Sequence, residues 1–458
     1  MKLKITFNLN RLKEQLRNIF LKYQGHQRQI KKILLLALLI LVFAAGIIGG
    51  YFYFWHYQKD KVFEKDIYAN FTAEVYETVK NNYWEKISDD ELSGLFRLGA
   101  EKITNLPQVL DLANKQGVEK MVLRITKDMP TDKKKDFTVK LVNIILTNLK
   151  PFGRSQLYSQ KQETQLRNTV ANIDTNVNLY QSLGVDKTAS PEQIQKAYEE
   201  KVAKLSPEKD TSSPAAQELA QAERAYQTLS RPETRTVYDQ SGAEITVFAK
   251  LVLPDILHLR LTKLSPQTFQ EFQETSSRID KTSNPTTMIL DLRSNVGGDI
   301  DLLQYFLGPF IGENQYAYEF FHQGDYKPFK TQTGWLSSLI RYKKVVILVD
   351  NQTQSSAELM ASVLKKYNVG ILIGAQTKGW GTVENVFPIK QGLDVSEKYS
   401  VFLVHSLALG DDNQPIEGRG VAPIISIDNQ NWQKELLAYF NYQPLITAIQ
   451  TIINEDNK

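Results

Sequence analysis

The sequence predicts a single transmembrane helix, two all-α regions and an α/β core of repeated strand–helix layers. Three observations lead to this fold class. Residues 33–55 form an uncharged apolar run, residues 62–150 and 178–242 space their apolar side chains by three and four, and strand-like and helix-like segments alternate from residue 243. With 458 residues, 42% of them apolar and 23% charged, the chain is long enough for two or three globular domains.

The first 57 residues predict a basic tail and a membrane span. Residues 1–32 carry nine Lys or Arg and one acid, Glu14. The 23 uncharged residues from 33 to 55 would extend roughly 34 Å as a helix, enough for a hydrocarbon core of about 30 Å. The positive-inside rule places residues 1–32 in the cytoplasm, residues 33–57 in the cell membrane as a single pass and the rest outside. A cleaved signal peptide is the alternative.

Composition and motifs exclude several other classes of protein. The chain has no cysteine, so it forms no disulfide and performs no thiol chemistry. It also lacks an HExxH motif, a P-loop and a GxGxxG turn, so we predict neither a metal site nor a cofactor. The basic leader is followed by an apolar run, so the expected partner is a lipid bilayer and not nucleic acid.

A helical region at residues 58–177 precedes a second all-α domain at residues 178–242. That domain contains LYQSLGV, a helix start at Ser190 and AERAYQTLSRPETRTVYD, in this order. The order resembles the J-domain of co-chaperones, whose His-Pro-Asp loop stimulates ATP hydrolysis by the 70-kDa heat-shock chaperone. Here the loop reads Ser-Pro-Glu at residues 206–208. The resemblance therefore implies a protein-contact module, with a co-chaperone role as the weakest alternative.

Separated motifs characterise the region from residue 243. They are MILDLRSNVGG (288–298), VVILVD (345–350), SSAE (355–358), GAQTKGWG (374–381) and IEGRGVAP (416–423). This ordered set resembles the C-terminal processing peptidases, or tail-specific serine proteases, over residues 243–428, and residues 62–110 resemble their N-terminal helices. We accordingly expect a peptidase-like domain at residues 243–430 and a C-terminal helix at residues 431–458. The family's usual PDZ domain is replaced by the J-like block.

The resemblance implies a nucleophile and an oxyanion hole. The family's serine lies three residues before a helical glutamate, which corresponds to Ser355 and Glu358. Its oxyanion donors correspond to a backbone N–H of Gly297 or Gly298 and to that of Ser356. Independently, N–H groups in the first turn of a helix have no intrahelical partner and can stabilise an oxyanion. The alternative is that Ser355 only caps its helix, with Glu358 completing a capping box.

The position of the general base is the main departure from the family. The family's lysine lies between two glycines, 25 residues after the serine, where this chain has Trp380. Indole has an N–H donor but no accepting lone pair, so it cannot take the serine proton. The family's assisting glutamine corresponds to Glu384. Lys378 remains as a possible substitute base, and His405 is interpreted as structural because it alternates with apolar neighbours.

These residues predict a membrane-anchored, extracytoplasmic relative of the C-terminal processing peptidases. We expect weak or lost proteolytic activity and function through binding of polypeptide. The alternative is an active serine endopeptidase that degrades or trims proteins from their C-termini, with Ser355 as nucleophile and Lys378 as base.

Overall fold

The structure is a computed structural model of the chain. It describes five residues between 13 and 18 and residues 66–172, 178–205, 214–241, 244–282, 284–394 and 397–456. From Ile67 onward the described residues belong to one compact unit. Among the described residues no helix is both long and apolar enough to span a bilayer. The predicted span at residues 33–57 lies outside the described residues.

An all-α layer follows, as the apolar spacing predicts. Its helices are α1 (Ile67–Asn82), α2 (Asp89–Thr104), α3 (Lys115–Thr126) and α4 (Thr131–Thr147). Helix α2 begins with a capping box between Ser88 and Glu91, which satisfies two N–H groups at the helix start. The helices bury aromatic and aliphatic side chains such as Phe71, Tyr76 and Phe96 in a shared core.

The end of this region is not purely helical, contrary to expectation. Strand β1 (Gln156–Ser159) pairs antiparallel with a strand near the C-terminus, and helix α5 (Gln160–Ala171) follows directly. Ser159 caps α5 with Gln162 in a capping box, so the chain changes from strand to helix without a loop. Because the pairing partner lies more than 240 residues away, short-range periodicity gave no indication of this strand.

The J-like region forms a small helical domain. Its helices are α6 (Leu179–Leu183), α7 (Pro191–Lys204), α8 (Pro214–Leu229) and α9 (Pro232–Ser241). The predicted start of α7 is confirmed, because the Ser190 side chain accepts a hydrogen bond from the Gln193 N–H in a capping box. Leu179, Ile194 and Leu229 belong to its own hydrophobic cluster. The loop at residues 206–208 lies outside the described residues.

The predicted α/β core contains a six-stranded sheet in the order β11-β8-β7-β4-β3-β2. Its strands are β2 (Val247–Leu253), β3 (Ile256–Leu261), β4 (Thr287–Asp291), β7 (Lys344–Val349), β8 (Ile371–Gly374) and β11 (Ile425–Ser426). All pairs except β2–β3 are parallel. Every residue of β3 and β4 is buried, as expected for parallel strands that are covered on both faces.

Helices cover the two faces of this sheet. They are α10 (Pro266–Thr282), α11 (Leu303–Ile311), α12 (Ser337–Ile340) and α13 (Ser356–Lys366), then α14 (Trp432–Phe440) and α15 (Gln443–Asp456). Side chains of α14 and α15 share a hydrophobic cluster with Ile289, Val346 and Ile373 of the sheet. The single helix predicted at residues 431–458 is therefore wrong, because Asn441 adopts a left-handed conformation (φ 44°) that ends α14.

A second, antiparallel sheet was not predicted. It has the order β1-β10-β5-β6, and β9 pairs with β10. The new strands are β5 (Tyr316–His322), β6 (Asp325–Lys330), β9 (Thr382–Pro388) and β10 (Tyr399–Ala408). Val401 and Leu403 of β10 pack in the core of the N-terminal helices. This sheet therefore joins the helical layer to the α/β core.

Candidate active site

The turn between β7 and α13 presents Ser355 in a strained conformation. Ser355 has φ 59° and ψ −132°, in a region that residues with a side chain rarely occupy. Two hydrogen bonds of Thr353 stabilise this turn. Its N–H donates to the Asp350 carboxylate (2.8 Å), and its hydroxyl donates to the Leu292 carbonyl just after β4 (2.9 Å). Ser355 is half-buried at the entrance to a large cleft.

The glycine turn after β4 lies against this serine turn. The Gln354 N–H donates to the Asn295 carbonyl at 3.0 Å. Gly297 has φ 78°, and a Cβ placed on it would be 2.7 Å from the Ser355 Cβ and 3.1 Å from the Ser356 nitrogen. Any larger residue at Gly297 would therefore collide with the serine. The structure brings the predicted serine and glycine motifs together.

The N–H groups of these turns differ in their availability as oxyanion donors. The Gly297 N–H already donates to the Asn295 Oδ1 at 2.9 Å, inside its own turn. This engagement favours Gly298 over Gly297 as the donor from the glycine turn. Ser356 is the first residue of α13, where the helix leaves N–H groups without intrahelical acceptors. The Gly298 and Ser356 N–H groups are thus the best candidates for stabilising negative charge.

Glu358 links the serine turn to the segment that carries Trp380. Its fully buried carboxylate accepts hydrogen bonds from the Ser355 N–H (2.9 Å), the Thr377 hydroxyl (2.6 Å), the Gly379 N–H (2.7 Å) and the Trp380 N–H (2.7 Å). Burial raises the pKa of Glu358, and these four donors oppose the rise. The bond from Ser355 is the carboxylate half of the predicted capping box, but the other three bonds give Glu358 a wider positioning role.

Trp380 is fixed in the wall of the cleft. Its ring stacks on the Arg154 guanidinium, with 3.6 Å between the guanidinium carbon and the ring centroid. Arg154 is in turn held by Glu417 at 3.1 Å, and the other Glu417 oxygen accepts the Gly381 N–H at 2.8 Å. The indole Nε1 donates to Glu384 Oε1 at 3.4 Å. An aromatic ring with an N–H donor therefore occupies the position of the family's lysine.

Glu384 is the ionisable partner of Trp380. The Thr382 hydroxyl also donates to its Oε1, at 2.5 Å. Burial raises the pKa of Glu384 from 4.5 to about 7, and the hydrogen bonds from Thr382 and Trp380 oppose this rise. The carboxyl group is therefore partly protonated near neutral pH, unlike the glutamine that the family has at this position.

Lys378 is not part of the cleft lining. It is exposed, its Nζ lies 5.6 Å from the Trp380 ring centroid, and Lys378 does not belong to the described residues that line the cleft of Ser355. Desolvation lowers the pKa of its amine, whereas the charge of Glu223 on α8 of the J-like domain opposes this. The Lys378 N–H donates to the Thr353 carbonyl at 3.0 Å, so the structure brings the backbone of Lys378 to the serine turn, whereas its amine lies over the Trp380 ring.

The cleft has a volume of about 1140 Å³. Its walls are formed by α5, the glycine turn, the serine turn and strands of the antiparallel sheet, including Leu166, Val170, Lys263, Val296, Phe320, Phe329, Val386 and Phe402. Apolar side chains thus dominate a long groove beside Ser355. One side of it is the edge strand β9, whose residues 382–386 all line the cleft. Among the described strands β9 pairs only with β10.

Two histidines in the same cleft were not grouped by the sequence analysis. The rings of His322 and His405 stack with centroids 4.1 Å apart, and His322 Nδ1 donates to the His405 carbonyl at 2.6 Å. His405 Nδ1 also hydrogen-bonds the Ser406 hydroxyl at 2.8 Å. These contacts agree with a structural role for His405. Arg154 and Lys263 could not be assigned to the site from the sequence, because both lie outside the serine and glycine motifs.

Comparisons with known proteins identify two domains. Residues 255–427 match the family model described as Peptidase family S41, and residues 178–239 match the DnaJ domain model. The chain is 25% identical over 178 residues to a carboxy-terminal-processing protease of Bartonella bacilliformis, covering 38% of this chain and 39% of the relative. It is 45% identical over 69 residues to Chaperone protein dnaJ 2 of Arabidopsis thaliana, covering 15% and 16%.

A comparison with solved structures finds a photosystem II D1 C-terminal processing protease. The TM-score is 0.46 and the identity 14%, over 79% of this chain and 93% of that one. For the two curated relatives given above, by contrast, the match covers only 39% and 16% of the relative's own length. Residues 255–427 form a domain of peptidase family S41, the C-terminal processing protease family, and residues 178–239 form a DnaJ domain.

Proposed function

We propose that this protein binds extended polypeptide in the cleft beside Ser355 and hydrolyses it weakly or not at all. One observation carries the proposal. Gly297 packs against Ser355, and Ser356 begins α13, which supports a nucleophile beside oxyanion donors; at the position of the base, however, the chain has Trp380, whose indole N–H donates to Glu384. This arrangement supports binding of a polypeptide by a site that lacks the ordinary proton acceptor at the family's position.

The shape of the cleft supports an extended chain as the ligand. Strand β9 offers an edge to which a peptide can add as a further strand, with main-chain hydrogen bonds that do not depend on sequence. Apolar side chains such as Val296, Phe329 and Val386 would contact alternate side chains of that peptide. An unstructured protein segment with apolar residues is the ligand class that fits these walls.

An active endopeptidase with Lys378 as base is the alternative. It requires Lys378 to leave its exposed position near the face of Trp380 and the charge of Glu223, and to enter the cleft. The glycines on both sides of Trp380 give that turn some freedom. The present placement of Lys378 supports the binding function over this alternative.

Membrane anchoring through residues 33–57, with the S41 and DnaJ domains outside the cytoplasm, completes the proposal. It rests on the basic leader and the apolar run of the sequence. On that side of the membrane an ATP-driven chaperone partner is not expected. We therefore assign the DnaJ domain a protein-contact role, and a co-chaperone function remains the least supported candidate.

A binding assay tests the proposal. The full chain in detergent is titrated against a fluorescent unstructured polypeptide with an apolar tail, and anisotropy is measured. Val296→Asp introduces a charge at a cleft residue that is 43% exposed, so it should weaken binding without unfolding the protein. Val109→Asp is the matched control, because Val109 is 65% exposed and lies in the loop between α2 and α3, outside the cleft lining. Equal affinity of both variants and the wild type would contradict binding in this cleft.

A further inference from the structure

Lys263 is an amine inside the Ser355 cleft that no family motif accounts for. It is the second residue after β3, in the segment LTKLSP, and only 8% of its surface is exposed. It lines the same cleft as Ser355 and Gly297. Among lysines it thus differs from Lys378, which is exposed and does not line the cleft.

Backbone pairing places Lys263 next to the glycine turn. The Val296 N–H donates to the Thr262 carbonyl at 3.3 Å, and the Leu264 N–H donates to the Gly297 carbonyl at 2.9 Å. Leu264 also forms a parallel bridge with Gly298. Residues 262–264 therefore run beside residues 296–298, with Lys263 next to Gly297.

Gly297 packs against Ser355, so the distance from the Lys263 backbone to Ser355 can be estimated through Gly297. Paired strands lie about 4.8 Å apart, and a Cβ on Gly297 would be 2.7 Å from the Ser355 Cβ. A lysine side chain extends about 6 Å from its Cα when its bonds are anti. The length of an extended Lys263 side chain is therefore comparable with the separation between its backbone and Ser355.

In this structure the amine has a structural contact. Lys263 Nζ donates to the carbonyl oxygen of Thr169, in the last turn of α5. A cation is favourable at a helix C-terminus, so this contact alone could explain a lysine here. The same contact holds the amine at the wall of the cleft, which Thr169 also lines.

We propose that Lys263 is the proton acceptor for Ser355 and that the residual hydrolysis allowed by the proposed function proceeds through it. This inference rests on the proposed binding of polypeptide in the cleft. The neutral amine takes the proton of Ser355 Oγ while Oγ bonds to the peptide carbonyl carbon and the π electron pair moves to oxygen. The ammonium then protonates the leaving nitrogen as the C–N bond breaks. Water, deprotonated by the same amine, hydrolyses the acyl ester and releases Ser355.

Substitution of Lys263 by arginine can separate a role as a base from a structural role. A general base must be neutral; burial favours the neutral form of an amine, whereas the Thr169 carbonyl at the end of α5 favours the ammonium, so the fraction of neutral amine should grow with rising pH. Arginine keeps a donor for the Thr169 carbonyl but does not lose its proton in proteins. Lys263→Arg therefore removes the base while it keeps the contact with α5. Lys330→Arg is the matched control, since Lys330 lies on exposed β6 and does not line the cleft.

The experiment measures how fast a fluorophosphonate probe labels Ser355 of the full chain in detergent, from pH 6 to 10. We expect labelling that Ser355→Ala abolishes, a rate that rises with pH, a fall of about 100-fold or more in Lys263→Arg and a change of less than about twofold in Lys330→Arg. Lys263→Gln, which also offers a donor, should lose the rate and its pH dependence in the same way. Thermal unfolding confirms that each variant is folded.

Three results would overturn the inference. They are an unlabelled wild type that still binds polypeptide, an unchanged rate in folded Lys263→Arg or Lys263→Gln, and a loss confined to Lys378→Arg. A failure of the proposed function is distinct from these, because it appears as absent polypeptide binding in the anisotropy assay whatever the labelling rate.

Discussion

Restoring a lysine at the family position should raise hydrolysis. In Trp380→Lys the new amine would start from a backbone that Glu358 already fixes to the serine turn, through the Trp380 and Ser355 N–H groups. A positioned acid–base group contributes about 10²- to 10⁴-fold, which is about 2.7 to 5.4 kcal/mol of transition-state stabilisation. We therefore expect at least about a 100-fold gain in cleavage of an unstructured protein.

The substitution also has a cost in stability. It removes the stacking of Arg154 on the ring, worth about 0.5 to 2 kcal/mol, and places a second cation near that guanidinium. The Glu384 carboxyl, with its pKa raised by burial to about 7, would be ionised by the new neighbour and would hold the lysine protonated. Adding Glu384→Gln should therefore increase the gain.

The assay follows appearance of new peptide ends from an unfolded substrate by gel and mass spectrometry. Trp380→Gln is the matched control, because it removes the ring without adding a base, and Ser355→Ala in the Trp380→Lys background should return activity to background. No gain in Trp380→Lys with or without Glu384→Gln, in a protein that still binds the substrate, would refute the reasoning that the missing lysine at position 380 limits hydrolysis.

Three further predictions concern stability and pH. Gly298→Ala should lower the melting temperature and abolish probe labelling, because a Cβ at φ 150° would clash with the Leu264 carbonyl; an unchanged melting temperature would contradict the close approach. Arg154→Ala should cost about 1 to 3 kcal/mol in chemical denaturation, since it leaves the Glu417 carboxylate, 13% exposed, without its cation. Since the folded pKa of Glu384 is raised, the folded state holds the proton that the unfolded state loses above about pH 4.5. Stability should fall from there to about pH 7, and Glu384→Gln should flatten that slope.

Local sequence patterns predicted the parts of the fold that depend on local interactions. The start of α13 at Ser355 and the capping box of α7 both follow from short-range capping patterns. Strand β1 could not be predicted in this way, because its hydrogen bonds are made with β10, 240 residues later. The antiparallel sheet as a whole could not be predicted for the same reason, since tertiary contacts determine which of its strands pair.

Some residues of the candidate site could be predicted from linear motifs, and others are evident only from the folded structure. The resemblance to the family's linear motifs identified the positions of Ser355, Trp380 and Glu384. Residues that are distant in sequence but contact the site could not be predicted, because only tertiary structure brings them there. Arg154 reaches Trp380 from the end of the N-terminal helical layer, and Lys263 enters the cleft through its pairing with the glycine turn.

The turnover of bound polypeptide by the wild-type protein tests most directly whether Trp380 has replaced the efficient base. The full chain is saturated with a labelled unstructured polypeptide, and cleavage per binding site is timed beside Ser355→Ala and Lys378→Arg. We predict saturable binding with turnover far below the roughly 1 to 10³ per second of ordinary enzymes, and no effect of Lys378→Arg. Turnover of about 1 per second or more that both substitutions abolish would contradict this and would establish an active peptidase with Lys378 as its base.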